Sequence, residues 1–330
     1  MQENQFTQSL IRQLITDPVV VGLFWAVVFL GIAWIVILII RKILHRVFAI
    51  PLALKKKILH ILVPKEAAKK EEEAKSSKKD YKELIAVMDA FYSALSSLKP
   101  KHRFKGYFLG RDDQIALEIV AIDGLVKFYA VIPDYIQQHF EHQLHAQYPS
   151  AQITEVEDYN IFRPKGVIAT APLVLTNTWV LPLKTYKKMD TDPLSGLTNA
   201  LSKVESTQGA AIQIMMRTAP KKWRYKGMHV AREMQKGKTF GEAISKTKWL
   251  KAINSLFYSV LSGFSNKDTQ QQQQSMTQQQ KTPLEQEMIK GIEEKASKPG
   301  FEINVRAIAC ADQGRIASAH LYNIVNSFAQ

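Results

Sequence analysis

Apolar positions first gather into one unbroken run and then break into short periodic stretches. Val19–Ile40 is 22 residues without a charge or an amide side chain. As a helix rising 1.5 Å per residue it covers about 33 Å, enough to cross a hydrocarbon core of roughly 30 Å. Asp17 and Pro18 supply an N-cap and a first-turn residue. A cleaved signal peptide needs a basic n-region and a shorter apolar run, whereas residues 1–18 set Arg12 against Glu3 and Asp17. The run is expected to span and stay, with Val19 and Ile40 as its ends and residues 1–18 as a short extracytoplasmic tail.

Beyond the run, residues 41–63 alternate apolar groups with basic clusters around Pro51. This predicts either a juxtamembrane segment lying on anionic lipid or a solvated stop-transfer flank. Residues 64–79 hold almost nothing that a core could bury, so they predict a charged linker, with folded material beginning at Asp80. Tyr81, Leu84, Ile85, Met88, Phe91, Tyr92, Leu95 and Leu98 fall at helical spacing, ended by Pro100. Ile115–Ile122 and Val126–Ile132 are strand-like runs joined by Asp123-Gly124, a strong hairpin signal. Pro133 opens a helix with Ile136, Phe140 and Leu144 on one stripe, and Gln152–Val156 alternates as a strand.

A comparable unit follows over 161–330. Val167–Thr176 and Trp179–Tyr186 read as strands. Asp192-Pro193 reads as the start of a helix through Leu197, Leu201 and Val204, and Ala210–Arg217 and Phe301–Cys310 as further strands. Ala317, Leu321, Ile324, Val325 and Phe328 mark a closing helix. The expected fold class is α+β: a single N-terminal transmembrane helix, then a domain of ferredoxin-like or split-βαβ type. The pattern of residues 80–160 recurs in 161–330, which suggests duplication without repeating residue identities. Between about 220 and 282 lies an insertion with an amphipathic run, Lys246–Phe264, and a glutamine-rich run, Asn266–Lys281.

Charge sharpens this picture. The net charge is +14. Arg41, Lys42, Arg46, Lys55, Lys56 and Lys57 contribute +6 with no acid among residues 41–57. By the positive-inside rule they place the C-terminal part in the cytoplasm and the N-terminus outside, across the inner membrane. The single cysteine, Cys310, excludes a disulfide framework and any multi-cysteine metal site. A second concentration runs from Arg217 through Lys221, Lys222, Arg224, Lys226, Arg232, Lys236, Lys238, Lys246 and Lys248 to Lys251. Opposed only by Glu233 and Glu242, it carries +9. With Trp223, Tyr225 and Trp249 interleaved, this patch suits DNA or another nucleic acid, anionic lipid, an acidic protein, or plain solvation; all four readings stay open.

No motif completes a catalytic site. Gly237-Lys238-Thr239 lacks the glycine five residues earlier and the preceding strand that a P-loop requires. His139, His142 and His145 drift around a helix and cannot converge on one ion, so they predict a solvated face. Asp190 and Asp192 fit turn and cap positions rather than a calcium loop. No cofactor, metal or small-molecule substrate is expected, and the chain is not expected to be an enzyme in itself.

Several segments carry a family resemblance. Tyr148–Ile153 with Glu157-Asp158-Tyr159, Leu183-Lys184-Thr185-Tyr186, Asp192-Pro193-Leu194, Leu197–Leu201 and Ala211–Ile214 resemble the N-terminal domain of type IV secretion or conjugative DNA-transfer ATPases of the coupling-protein kind from candidate-phyla bacteria. The resemblance spans roughly residues 80–330, and a membrane helix precedes the domain in that family as well. It implies a membrane-anchored module that positions a motor and contacts secretion-machine subunits, lipid or further copies of itself. The ATPase motifs of the family match no position here. The chain is accordingly expected to be the anchor portion of a longer ATPase or a stand-alone paralogue that binds nucleic acid, anionic lipid or protein partners.

Overall fold

A computed structural model describes residues 18–64, 80–98, 106, 108, 110–189, 192, 194–244 and 281–329. The chain divides into two compact units, one of residues 1–57, 99–114 and 132–137, the other of the remainder. The first unit is dominated by helix α1, Pro18–Leu54. Its stretch Phe24–Phe48 has a mean hydropathy of 2.5 and none of it is buried within the protein. Trp25, Phe29 and Trp34 all project outward. A helix this long and apolar suffices to cross a bilayer.

The second unit is built on a seven-stranded antiparallel sheet. Its strands are β1 (Lys57–Leu62), β2 (Ile115–Ile122), β3 (Leu125–Ile132), β4 (Gln152–Val156), β5 (Val167–Leu173), β6 (Gly209–Thr218) and β7 (Phe301–Ala311). They lie in the order β4-β1-β3-β2-β6-β7-β5. Two halves meet where β2 pairs with β6, from Ile115 opposite Met216 to Ile122 opposite Gly209. In the first half, helix α2 (Asp80–Leu95) links β1 to β2, and α3 (Gln137–Gln147) links β3 to β4. The second half repeats this: α4 (Ser195–Ser202) links β5 to β6, and α8 (Gly314–Asn326) follows β7. Thus β5, β6 and β7 take the places of β1, β2 and β3. The counterpart of β4, beside β5, is absent among the described residues. The hairpin turn at Asp123 and Gly124 has φ of 55° and 74°, the two positive values of a type I′ turn.

Each sheet face has its own core. On one, Ile119, Ala121, Ile212, Ala307 and Ala309 pack against Leu197, Leu201 and Ile324 from α4 and α8. On the other, Val120, Tyr129 and Ala211 lie under the chain at Tyr159 and Ile161. Gly209 permits that crossing, because a Cβ there would sit 2.4 Å from the carbonyl oxygen of Ile161. The insertion between β6 and β7 contributes α5 (Lys222–Gln235), α6 (Phe240–Ile244) and α7 (Pro283–Ser297). These close a separate core of Val230, Met234, Ala243, Ile289 and Ile292 around Val180.

Three expectations are corrected. Folded material begins before Asp80, since α1 continues to Leu54 and Lys57–Leu62 is the sheet strand between β4 and β3. The first α+β unit therefore starts within the supposed juxtamembrane segment. Trp179–Tyr186 is not a strand but an irregular segment with a 3-10 turn at Tyr186–Lys188; Pro182 fits against Gly291, and Val180 is drawn into the helical core instead. Asp192 does not cap α4 directly, because its carboxylate accepts the Leu194 N–H in a turn ahead of Ser195. Residues 65–79, the run Lys246–Phe264 and all the glutamine-rich run but Lys281 lie outside the described residues, as do Asp190 and Pro193.

Replacing Gly209 with alanine is expected to destabilise the chain by about 1–3 kcal/mol, the usual cost of forcing atoms into a packed core. Urea unfolding of the detergent-solubilised protein followed by tryptophan fluorescence measures this, and an unchanged midpoint would contradict the close crossing.

Candidate functional site

The Arg217–Lys251 patch separates by contact into structural cations and free ones. Arg217 pairs across the sheet with Glu302 at 2.5 Å. Trp223 packs against Gly300, where any Cβ would lie 2.2 Å from its ring. Arg224 donates from Nε to the Ala296 carbonyl at 2.8 Å and from a terminal nitrogen to Ser297 at 3.0 Å. It thereby covers the open carbonyls at the end of α7, where a cation also complements the helix dipole. Lys226 sits over the Trp179 ring, 5.0 Å from its centroid. Lys236 and Lys238 both pair with Glu233, whose carboxyl is held down to about 2 by hydrogen bonds from Lys238 and Lys236.

Gly237-Lys238-Thr239 is a helix–turn–helix connection. Gly237 has φ of 95°, the left-handed value that stops α5. Thr239 and Glu242 exchange backbone-to-side-chain hydrogen bonds at the start of α6. A second such capping box, Thr282 with Glu285, opens α7. Close packing of α5 on α7 depends on Gly227, where a Cβ would come 3.3 Å from Ala296.

The remaining residues of α5 form an open surface. Lys221, Lys222, His229 and Arg232 are exposed, with Tyr225 at 71% and Met228 at 42% exposure. Spacings of three and four place them on one helix face. Lys246, Lys248, Trp249 and Lys251 lie outside the described residues.

A buried polar row, missed by sequence reasoning, crosses the sheet beneath Tyr159. Glu118 of β2 is 6% exposed and accepts hydrogen bonds from the Tyr159 hydroxyl and, at 2.7 Å, from Gln213 of β6. Arg306 of β7 donates to Gln213 in turn. Tyr159 stacks on Tyr129, with centroids 4.6 Å apart, and His60 adjoins Tyr129 at 5.3 Å. Burial raises the Glu118 carboxyl above its ordinary value against the pull of these donors, and burial together with Glu118 raises the Tyr159 phenol. The available signal was a lone acid inside an apolar strand, which calls for a buried partner.

In the first unit, two flank cations turn inward to protein groups. Lys56 donates to the Gln114 carbonyl and Lys57 pairs with Asp134 at 3.3 Å. Desolvation lowers Lys56 to about 8, opposed by Asp113 and Asp112. Arg111 grips buried Asp113 with two nitrogens at 2.8 and 2.5 Å. Two of the six cations of the inside-positive flank, Lys56 and Lys57, therefore contact protein groups. Arg41, Lys42 and Arg46 ride on α1, and Lys55 follows it. Of the histidines, His142 and His145 are exposed as expected, but Nε2 of His139 is buried without a hydrogen-bond partner among the described residues. Among the described residues no group of His, Cys, Asp and Glu is placed to hold a metal.

These features define an α+β protein with an N-terminal helix of spanning length and a helical insertion in its sheet. The chain belongs to the DUF8128 family, a domain of unknown function, whose family model matches residues 65–330. No curated protein and no solved structure matches it.

Two outcomes test this site. Arg224→Ala is expected to cost about 1 kcal/mol through the exposed carbonyls of α7, whereas Lys222→Ala stays within roughly 0.5 kcal/mol; parallel urea titrations separate them. Glu118 binds its proton more tightly folded than unfolded, so its contribution is full below the ordinary carboxylate value and is lost as pH rises through the raised one. Glu118→Gln should therefore gain thermal stability over the native chain as pH rises above about 4.5. A pH-independent difference in melting temperature would contradict the buried carboxyl.

Proposed function

We propose that this chain is the membrane-anchored, cytoplasm-facing module of a conjugative, type IV secretion-like DNA-transfer ATPase. It holds the motor at the inner face of the membrane and makes assembly contacts with neighbouring subunits. The observation that carries this reading is the chain path: a helix of spanning length leads, with only Lys55 and Lys56 between, into a strand inside the sheet. A connection this short suits a fixture for a motor. The cationic flank after Ile40 supports an N-out, C-in topology across the inner membrane. The segments quoted above support the family relation. We read the two halves of the sheet as a ferredoxin-like pair, the second short of its last strand, a layout suited to contacts between subunits.

Protease added to spheroplasts should leave a C-terminal tag intact, and in-cell crosslinking from the sheet domain should capture a protein or segment bearing a G-x-x-x-x-G-K-[ST] motif. Digestion of the tag from outside would overturn the topology. Capture of no such ATPase would overturn the motor-positioning role.

A further inference from the structure

We propose that the outward face of α5 docks on the anionic headgroups of the bilayer that α1 reaches. Lys221, Lys222 and Arg232 have no ion-pair partner among the described residues, and Glu233, the acid of α5, is buried and held by Lys236 and Lys238. The face therefore carries three uncompensated cations. Between them project a phenol, Tyr225, and a thioether, Met228, both exposed. That mixture suits a membrane surface. Ammonium and guanidinium groups meet lipid phosphates, while amphipathic and apolar tips enter the boundary with the acyl chains. It suits a nucleic acid less well, because the thioether of Met228, between the Tyr225 and His229 rings, offers no surface for a base to stack on.

Three cations give a free protein only weak lipid affinity, each raising partitioning by about fivefold. A chain already held by a spanning helix needs no more, since the contact becomes intramolecular. The inference thus rests on the anchoring by α1, and not on the DNA-transfer role. Docking α5 would limit how the domain turns about its anchor.

The sole cysteine, Cys310, is fully buried, so a Met228→Cys variant of the full chain presents one reactive thiol. Labelled with bimane, it is reconstituted into vesicles containing headgroup-spin-labelled lipid. One set is phosphatidylcholine alone and the other contains about one-third phosphatidylglycerol. Quenching is expected in the anionic vesicles and not in the neutral ones, and it should fade as salt rises to about 0.5 M. In the same background, Lys221→Gln, Lys222→Gln and Arg232→Gln should each weaken the contact by about fivefold. Equal quenching in both compositions overturns the proposal. So does a bimane response to an added oligonucleotide together with none to anionic lipid. Alkaline carbonate extraction of the same vesicles reads α1 separately: a chain that washes off overturns the anchoring and the docking together. A retained chain without composition-dependent quenching overturns the docking alone.

Discussion

The pairing of β2 with β6 is the joint on which this protein depends. Without it, each half would offer an open edge and half a hydrophobic face to water. With it, Ile119 and Ala121 stand beside Ile212 and Ala210, and one continuous floor receives α4 and α8. The opposite face gains a polar row that neither half could build alone, since Glu118 comes from one half and Gln213 from the other. The small residues along the joint follow from this crowding. Ala121, Ala210, Ala211 and Gly209 leave room for helices on one side and for the Tyr159–Ile161 crossing on the other.

Much of the fold is legible where a local signal is strong. The uncharged run of α1, the Asp123-Gly124 turn and the spacing of Phe140 with Leu144 each act within a few residues, and each corresponds to an element found. What failed depended on distant partners. KILHIL of β1 is too short and too close to a basic cluster to declare itself, and it becomes a strand because β3 and β4 lie ready on either side. Trp179–Tyr186 has β-prone composition, yet Pro182 and the pull of the helical core on Val180 decide otherwise. The repeat of the two halves was visible as pattern, but the strand order that makes it a topological repeat was not.

The candidate surface divides along the same line. Composition located the concentration of cations but could not sort them. Arg224 is committed to carbonyls 72 and 73 residues away and Arg217 to an acid 85 residues away, and separations of that kind leave no trace in local spacing. The apparent phosphate motif lacks its first glycine. The structure supplies the positive explanation, a glycine stop, a lysine returned to Glu233 and a threonine cap. A single acid in IALEIVAI has the pattern of an outward-facing residue, and only the overlying Tyr159 makes Glu118 interior.

The position of β1 also has a mechanical meaning. It is an inner strand, matched to β4 from Ile58 opposite Val156 to Leu62 opposite Gln152 and bonded to β3 on its other side. Tension applied through the helix that precedes it would enter this strand at one end and run lengthwise. The ladders on both flanks then share the load and must slide together, whereas a strand at the rim would peel one bond at a time. As an inner strand, β1 is thus held from both sides against being drawn out of the sheet.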